Sequence, residues 1–209
     1  MPTRKLTLYH AVPSRAAIAR WMLEEIGHPY EVKLLDLQKS EQFSPEYLAI
    51  NPVGKVPAIK LGDVVVTEVA AICCYLADAF PEANLAPVIT DPLRGPYLKW
   101  LFYGPSCIEP AVIAKTMGWT GGRRGMLGWA DFDTVVEVVC KAVEKGPYIL
   151  GERFTAADVV IGSQVRWGLL FKTLPERPEL VAYAKRLEQR PALQSQIALD
   201  AALSAPPAA

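Results

Sequence analysis

The hydrophobic pattern changes period several times along the first part of the chain. Leu6-Thr-Leu-Tyr9 is a short apolar run that stops at a loop containing Pro13, and it reads as a strand. From Arg15 to Ile26, the positions Ile18, Trp21, Met22, Glu25 and Ile26 fall near one helical face, and Gly27 supplies the stop. Tyr30 to Leu35 alternates with charge and reads as a second strand, which makes the opening a βαβ unit. A looser stretch from Gln38 to Asn51 holds a turn and a short helix over Pro45–Leu48. Ala58–Leu61 and Val64–Thr67 flank Gly62-Asp63, a two-residue hairpin with glycine first, as a type II′ turn prefers. From Glu68 to Phe80 the period is helical again, and Pro81 ends it.

Beyond Pro81 the character changes. Residues 82–92 carry prolines and an asparagine with few periodic apolar positions, the pattern of a linker. Everything after it is helical in pattern. A long helix is expected from about Pro92 toward Gly118, kinked or broken at Pro105 and Pro110. Others follow over Trp129–Lys145, from Thr155, over Glu176–Arg190 and over Ala192–Leu203, before a frayed tail from Ser204. The expected layout is a βαβ–ββα domain over residues 1–81 and an all-helical domain over residues 93–209. No internal repeat is visible.

Composition narrows the class. The 209 residues suit one domain or two small ones, and a chain of this size buries about 70% of its unfolded surface. With 51% hydrophobic and 21% charged residues, the chain is too apolar for intrinsic disorder. Its 22 basic residues balance 22 acidic ones, so no electrostatic stripe points to nucleic acid or an anionic membrane. No apolar run approaches a membrane span, and Met1-Pro-Thr-Arg-Lys5 leads straight into the first strand, with no secretory pattern. Cys73, Cys74, Cys107 and Cys140 form no C-x-x-C pair, and His10 and His28 are the only histidines. A disulfide scaffold, a structural zinc site and a redox dithiol are all disfavoured. A reduced, cytoplasmic protein of two parts is expected.

The order of elements, with Val56-Pro57 before the hairpin, resembles a thioredoxin-like domain. The segment Lys39-Ser-Glu-Gln-Phe-Ser-Pro-Glu-Tyr-Leu-Ala-Ile-Asn-Pro-Val-Gly-Lys-Val-Pro57 goes further. It resembles the run of the cytosolic glutathione transferases from their first glutathione-contacting loop to a cis-proline. Thr67-Glu-Val69-Ala-Ala-Ile72 stands where that family has an acidic or amide residue followed by serine, and Gly151-Glu-Arg-Phe-Thr155-Ala-Ala-Asp158 resembles its helix-capping motif. The likeness covers nearly the whole chain, in a bacterial, theta- and beta-like form.

The resemblance implies roles that each compete with a plainer reading. Pro57 would be cis, turning the Val56 backbone toward the cysteinyl part of glutathione as an added strand would; otherwise it is a strand-capping proline. Glu68 and Val69 open a helix whose N-terminus would hold the γ-glutamyl carboxylate, with Glu68 near the ammonium group. Glu68 also suits a helix first turn on electrostatic grounds alone. Valine at 69 departs from the family's serine and removes a hydroxyl donor. Gln42 and Lys55 are candidates for the glycyl carboxylate, or solvated side chains. Ser14 lies where an N-cap hydroxyl is expected, and by resemblance it would donate to the glutathione sulfur. Tyr9 coincides with the catalytic tyrosine of pi-like classes, or fills core from its strand. Asp158 reads as a helix cap between domains, and Cys73 and Cys74 as buried structural thiols. Trp100, Tyr103 and Trp119 are core or the lining of an apolar pocket.

Together these imply a glutathione transferase. It takes glutathione as co-substrate, needs no metal, and activates the thiolate for attack on a small, electrophilic, largely apolar substrate in a detoxification-type reaction. The resemblance also implies a homodimer. A non-enzymatic carrier of glutathione or apolar ligands, favoured by Val69, and a glutathione-dependent reductase or isomerase remain as alternatives.

Overall fold

In the computed structural model, the described residues are 5–119, 122 and 124–204. The first residues, expected to lead into a strand, and the tail beyond Ser204 lie outside them. Four strands form one sheet: β1 (Leu6–His10), β2 (Glu31–Leu34), β3 (Ala58–Leu61) and β4 (Val64–Thr67), in the order β2-β1-β3-β4. β1 runs parallel to β2 and antiparallel to β3, and β3 and β4 form the expected hairpin. At its turn Gly62 takes a positive φ of 61° and Asp63 does not, the type II′ requirement. β1 is buried at every position because it is central and covered on both faces, whereas β2 is an exposed edge.

Strand alternation sorts the two faces of β1. Leu6, Leu8 and His10 share one face. Helices α1 (Ala16–Ile26) and α3 (Val69–Ala79) pack there with Ile18, Trp21, Met22, Ile72 and Leu76 buried. α1 stops at Gly27, which adopts the left-handed conformation and donates its N–H to the Leu23 carbonyl. Tyr9 faces the other way, toward the short helix α2 (Pro45–Leu48), where it clusters with Tyr47 and Ala58.

The chain divides into two compact units, residues up to Ala83 together with those from Arg190, and Asn84–Gln189. The second unit holds α4 (Arg94–Tyr103), α5 (Glu109–Thr116), α6 (Phe132–Val143), α7 (Ala156–Leu170) and α8 (Pro178–Glu188). The long helix expected across Pro105 and Pro110 is α4 and α5 joined by a π-helical turn, Gly104–Ile108. Each proline lacks the N–H that a regular turn would use, and the wider turn absorbs the defect. A side chain at Gly104 would sit 2.9 Å from Val160 Cγ1, so glycine lets this turn approach α7.

The final helix, α9 (Pro191–Ser204), groups with the first unit, whereas its pattern placed it in a helical domain running to the C-terminus. It packs along α1 through paired polar groups. Arg190 donates to both carboxylate oxygens of Glu25 at 2.6 and 2.7 Å, and Asp200 meets His10 and Arg20. The partners stand 165 to 190 positions apart, so the pairing was not visible in the sequence.

Candidate functional site

The register of the sheet brings the candidate residues to one end of it. Tyr9 is opposite Ala58 and Ala58 is opposite Thr67. The residues just past this row are therefore neighbours in space: the turn Ala11–Arg15 after β1, the Val56-Pro57 step before β3, and Glu68-Val69 after β4. Two helix N-termini, those of α1 and α3, start at the same end of the sheet. The first N–H groups of each have no partner inside the helix and favour an anionic ligand.

Ser14 stands one step upstream of the cap position, which Arg15 occupies in a helical conformation. Its hydroxyl accepts from the Ala16 N–H at 3.1 Å and donates to the Ala11 carbonyl at 2.6 Å. The capping role expected of Ser14 is thus met in a shifted form, on the amide two residues ahead. The hydroxyl is half-buried at the mouth of α1. The Val12-Pro13 bond just before it is cis, a feature with no sequence signal.

The Val56-Pro57 bond is cis, as the resemblance implied. Pro57 is buried and Val56 half-buried, and Val56 packs on the Tyr9–Tyr47–Ala58 cluster. The loop before it is held by groups that sequence reasoning missed. Tyr47 Oη and Asn51 Nδ2 both donate to the Lys55 carbonyl, at 2.6 and 2.7 Å. Asn51 Oδ1 also accepts from the Val53 N–H at 3.1 Å. Asn51 is 3% exposed, and a buried amide so fully bonded fixes its loop. Burial pushes the Tyr47 hydroxyl up to about 12, so it stays a donor. Gly54 has φ 65°, and a side chain there would run into Phe43 at 2.6 Å and the Gln42 carbonyl at 3.2 Å. That close approach sets Gln42 beside the segment bearing Lys55. Gln42 Oε1 is buried, while Lys55 is exposed.

Glu68 takes φ 65° and ψ 120°, a strained conformation for a residue with a side chain. The Glu68 side chain makes no capping bond to α3; Glu68 is exposed and Val69 half-buried. The strain turns the chain sharply from β4 into α3 and leaves the helix start unfilled.

Tyr9 is packed as core at 8% exposure, its ring 5.6 Å from that of Tyr47 with Lys33 Nζ 5.6 Å from its centroid. It lines a cleft of about 520 Å³ between β2 and α2, with Lys33, Tyr47 and Ile50. Ser14 is not among the lining residues of that cleft.

In the second unit, Asp158 is a cap as expected, but its partners all lie inside that unit rather than between two. Its carboxylate accepts from the N–H groups of Thr155 and Ile149 at 2.9 and 2.8 Å, and from Tyr183 Oη at 2.8 Å. Burial pushes this carboxyl up to about 6 against the pull of those donors. Trp100 and Tyr103 form one cluster, ring centroids 5.2 Å apart, with Lys99 Nζ 4.0 Å over the indole; Trp119 is exposed. Cys73 is buried and its thiol is pushed far up by burial, the inert character expected of it, while Cys74 is half-buried.

A family model described as the glutathione S-transferase N-terminal domain matches residues 4–78. Over 175 residues the chain is 41% identical to a glutathione S-transferase of Dianthus caryophyllus, spanning 78% of this chain and 77% of that one. It is 28% identical over 181 residues to one from Escherichia coli O157:H7, spanning 85% and 90%. Among solved structures, a glutathione transferase homologue from Sulfitobacter with bound glutathione superposes with a TM-score of 0.73 at 27% identity, over 93% of this chain and 98% of that one. A glutathione transferase from Methylococcus capsulatus superposes with a TM-score of 0.77 at 26% identity, over 94% and 99%.

Proposed function

The chain belongs to the glutathione S-transferase family, and we propose from that premise that it transfers glutathione to an electrophile by the residues gathered at one end of its sheet. In this reading the γ-glutamyl carboxylate sits at the α3 N-terminus, with Glu68 near the ammonium group. The Val56 N–H and C=O pair with the cysteinyl backbone, and Gln42 and Lys55 meet the glycyl carboxylate. The sulfur lies at the Ser14 hydroxyl and the α1 N-terminus.

The observation that carries the reading is the row Tyr9–Ala58–Thr67, which puts a hydroxyl, a cis X-Pro step and two helix starts at one end. The energetics agree. A free thiol has a pKa of about 8.5, and lowering it to 7 takes about 2 kcal/mol. Ser14 would exchange a neutral bond to Ala11 for one to a thiolate, a gain of about 1 kcal/mol, and a helix N-terminus supplies about 0.3–1 kcal/mol more. The thiolate is the nucleophile and arrives on the co-substrate, so the step requires no metal. The thiol proton passes to solvent, the Ser14 hydroxyl donates to the resulting thiolate, and the sulfur bonds to the electrophile as its leaving group departs.

The second substrate is a small, largely apolar electrophile, and the enzyme works as a cytoplasmic homodimer. Exposed Val53 and Phe102, at 64% and 52%, offer apolar surface for such association. Among the described residues no helix is long and apolar enough to cross a membrane. Steady-state turnover with a chloronitrobenzene-type acceptor, beside calorimetric glutathione binding, tests the proposal. Binding with turnover supports it. Binding without turnover on any of several electrophiles identifies a carrier, and no binding overturns the site.

A further inference from the structure

The turn bearing Ser14 is tied at both ends to one carboxylate. His10 closes β1 just before the turn, and Arg20 lies in the second turn of α1 just after it. His10 Nε2 is 2.9 Å from Asp200 Oδ1, and Arg20 Nη1 is 2.7 Å from the same oxygen. Gln196 Nε2 donates to Asp200 Oδ2 at 2.7 Å. His10 is fully buried, Arg20 is 6% exposed and Asp200 is 9% exposed. Burial alone would raise the Asp200 carboxyl, but His10 and Arg20 hold it below the usual range. An ionised carboxylate only accepts, so His10 Nε2 carries a proton and donates. Arg20 Nε also donates to Tyr30 Oη at 3.2 Å, and Tyr30 Oη donates to Glu24 Oε1 at 2.6 Å; among the described residues these are the further groups bonded to this pair.

The Ser14 hydroxyl takes both its partners from the two ends so fastened. Its acceptor, the Ala11 carbonyl, follows His10 directly, and its donor, the Ala16 N–H, opens the helix that carries Arg20. A movement of either end re-aims the oxygen, and a misplacement of about 1 Å can cost about a hundredfold in rate. A second tie between α1 and α9 gives an internal control. Glu25 binds Arg190 at 2.6 Å and Trp21 Nε1 at 2.8 Å, near the opposite end of α1.

We propose that Asp200, on the last helix, is a positioning residue that aims the Ser14 hydroxyl at the glutathione sulfur by clamping His10 and Arg20. This deepens the reading of Ser14 and rests on it. The clamp acts on the thiolate and not on glutathione affinity, because the backbone contacts proposed for Val56 and Val69 lie on other segments.

The test titrates the thiol of bound glutathione by its ultraviolet absorbance in Asp200→Asn, Ser14→Ala, their double variant and Glu25→Gln. Asp200→Asn should raise the apparent pKa by about half a unit, lowering kcat about threefold near pH 6.5 with recovery at higher pH and little change in KM for glutathione. The double variant should titrate where Ser14→Ala does. Glu25→Gln should lower the melting temperature and leave the pKa in place. If Ser14→Ala shifts the titration and Asp200→Asn does not, the clamp is overturned and Ser14 stands. An unmoved pKa in Ser14→Ala overturns both. Equal shifts in Asp200→Asn and Glu25→Gln reduce the effect to loosening of α9 and also overturn the clamp. Should Asp200→Asn fail to fold, Arg20→Lys keeps the charge and loses the fork; a smaller shift in the same direction is expected, and an unmoved titration is the contrary result.

Discussion

The starts of α7 and α3 solve the same problem in opposite ways. Both expose backbone N–H groups with no partner in their own helix. At α7 the chain fills the position itself: Asp158 bonds the Thr155 and Ile149 amides and the Tyr183 hydroxyl, and is wholly buried. At α3 the residue at the helix mouth, Glu68, makes no side-chain cap and is exposed and strained. A carboxylate supplied by the chain makes a helix start structural. A start kept open at a stored backbone cost is suited to a carboxylate that comes from outside.

Removing the internal cap should have the largest effect. Asp158→Ala leaves buried amides and a buried hydroxyl unbonded, at about 1–3 kcal/mol each before relaxation. A loss of about 3 kcal/mol or more in unfolding free energy is expected, with glutathione affinity in the surviving folded protein unchanged. A chemical denaturation midpoint equal to the wild type's would break the contrast between the two helix starts.

The pH dependence comes next. Because the Asp158 carboxyl is pushed up to about 6 in the fold, the folded state binds its proton more tightly than the unfolded chain does. Its contribution is fully present below about pH 4 and is lost as pH rises through about 6, a change of about 2–3 kcal/mol. Asp200 has the opposite sign: its lowered carboxyl stabilises above the unfolded value, and that stability is lost on acidification. Denaturation curves for Asp158→Asn between pH 4 and 7 should lack the falling component, and an unaltered pH profile would count against it.

Two smaller effects sharpen the open site. Glu68→Gly removes the cost of a positive φ and should raise stability by about 0.5–1 kcal/mol, while glutathione binds more weakly. Differential scanning calorimetry and isothermal titration read the two opposing signs, and a parallel change in both would separate the strain from ligand binding. Val69→Ser restores a hydroxyl at the α3 start and should tighten glutathione by about 1 kcal/mol. Equal or weaker binding by calorimetry would put the carboxylate elsewhere.

What the sequence disclosed follows the same divide between local and distant pairing. Thr155 and Asp158 are three residues apart, so their cap is written in the spacing. The hairpin at Gly62-Asp63 was legible for the same reason, whereas the cis Val56-Pro57 step followed from the family resemblance alone, because an X-Pro bond by itself favours trans. The fastening of the site was not. Asp200 meets His10 across 190 positions and Arg20 across 180. Gln196 and Asp200 are one helical turn apart on α9, and their spacing alone gave no sign that both would be buried against α1. Tyr47 and Asn51 gave no sign that both would grip the Lys55 carbonyl, because that geometry exists only once the loop closes on itself.

The central claim is that the Ser14 hydroxyl, and not that of Tyr9, stabilises the glutathione thiolate. Tyr9 is packed against Tyr47 on the sheet face opposite His10, while Ser14 stands at the mouth of α1 with a donor it can redirect. Ultraviolet titration of the bound thiol in Ser14→Ala and Tyr9→Phe decides between them. The account predicts a rise of about one pKa unit or more in Ser14→Ala, equal to about 1.4 kcal/mol of lost preference for the charged form, and no movement in Tyr9→Phe. A raised pKa in Tyr9→Phe with an unmoved one in Ser14→Ala would contradict it.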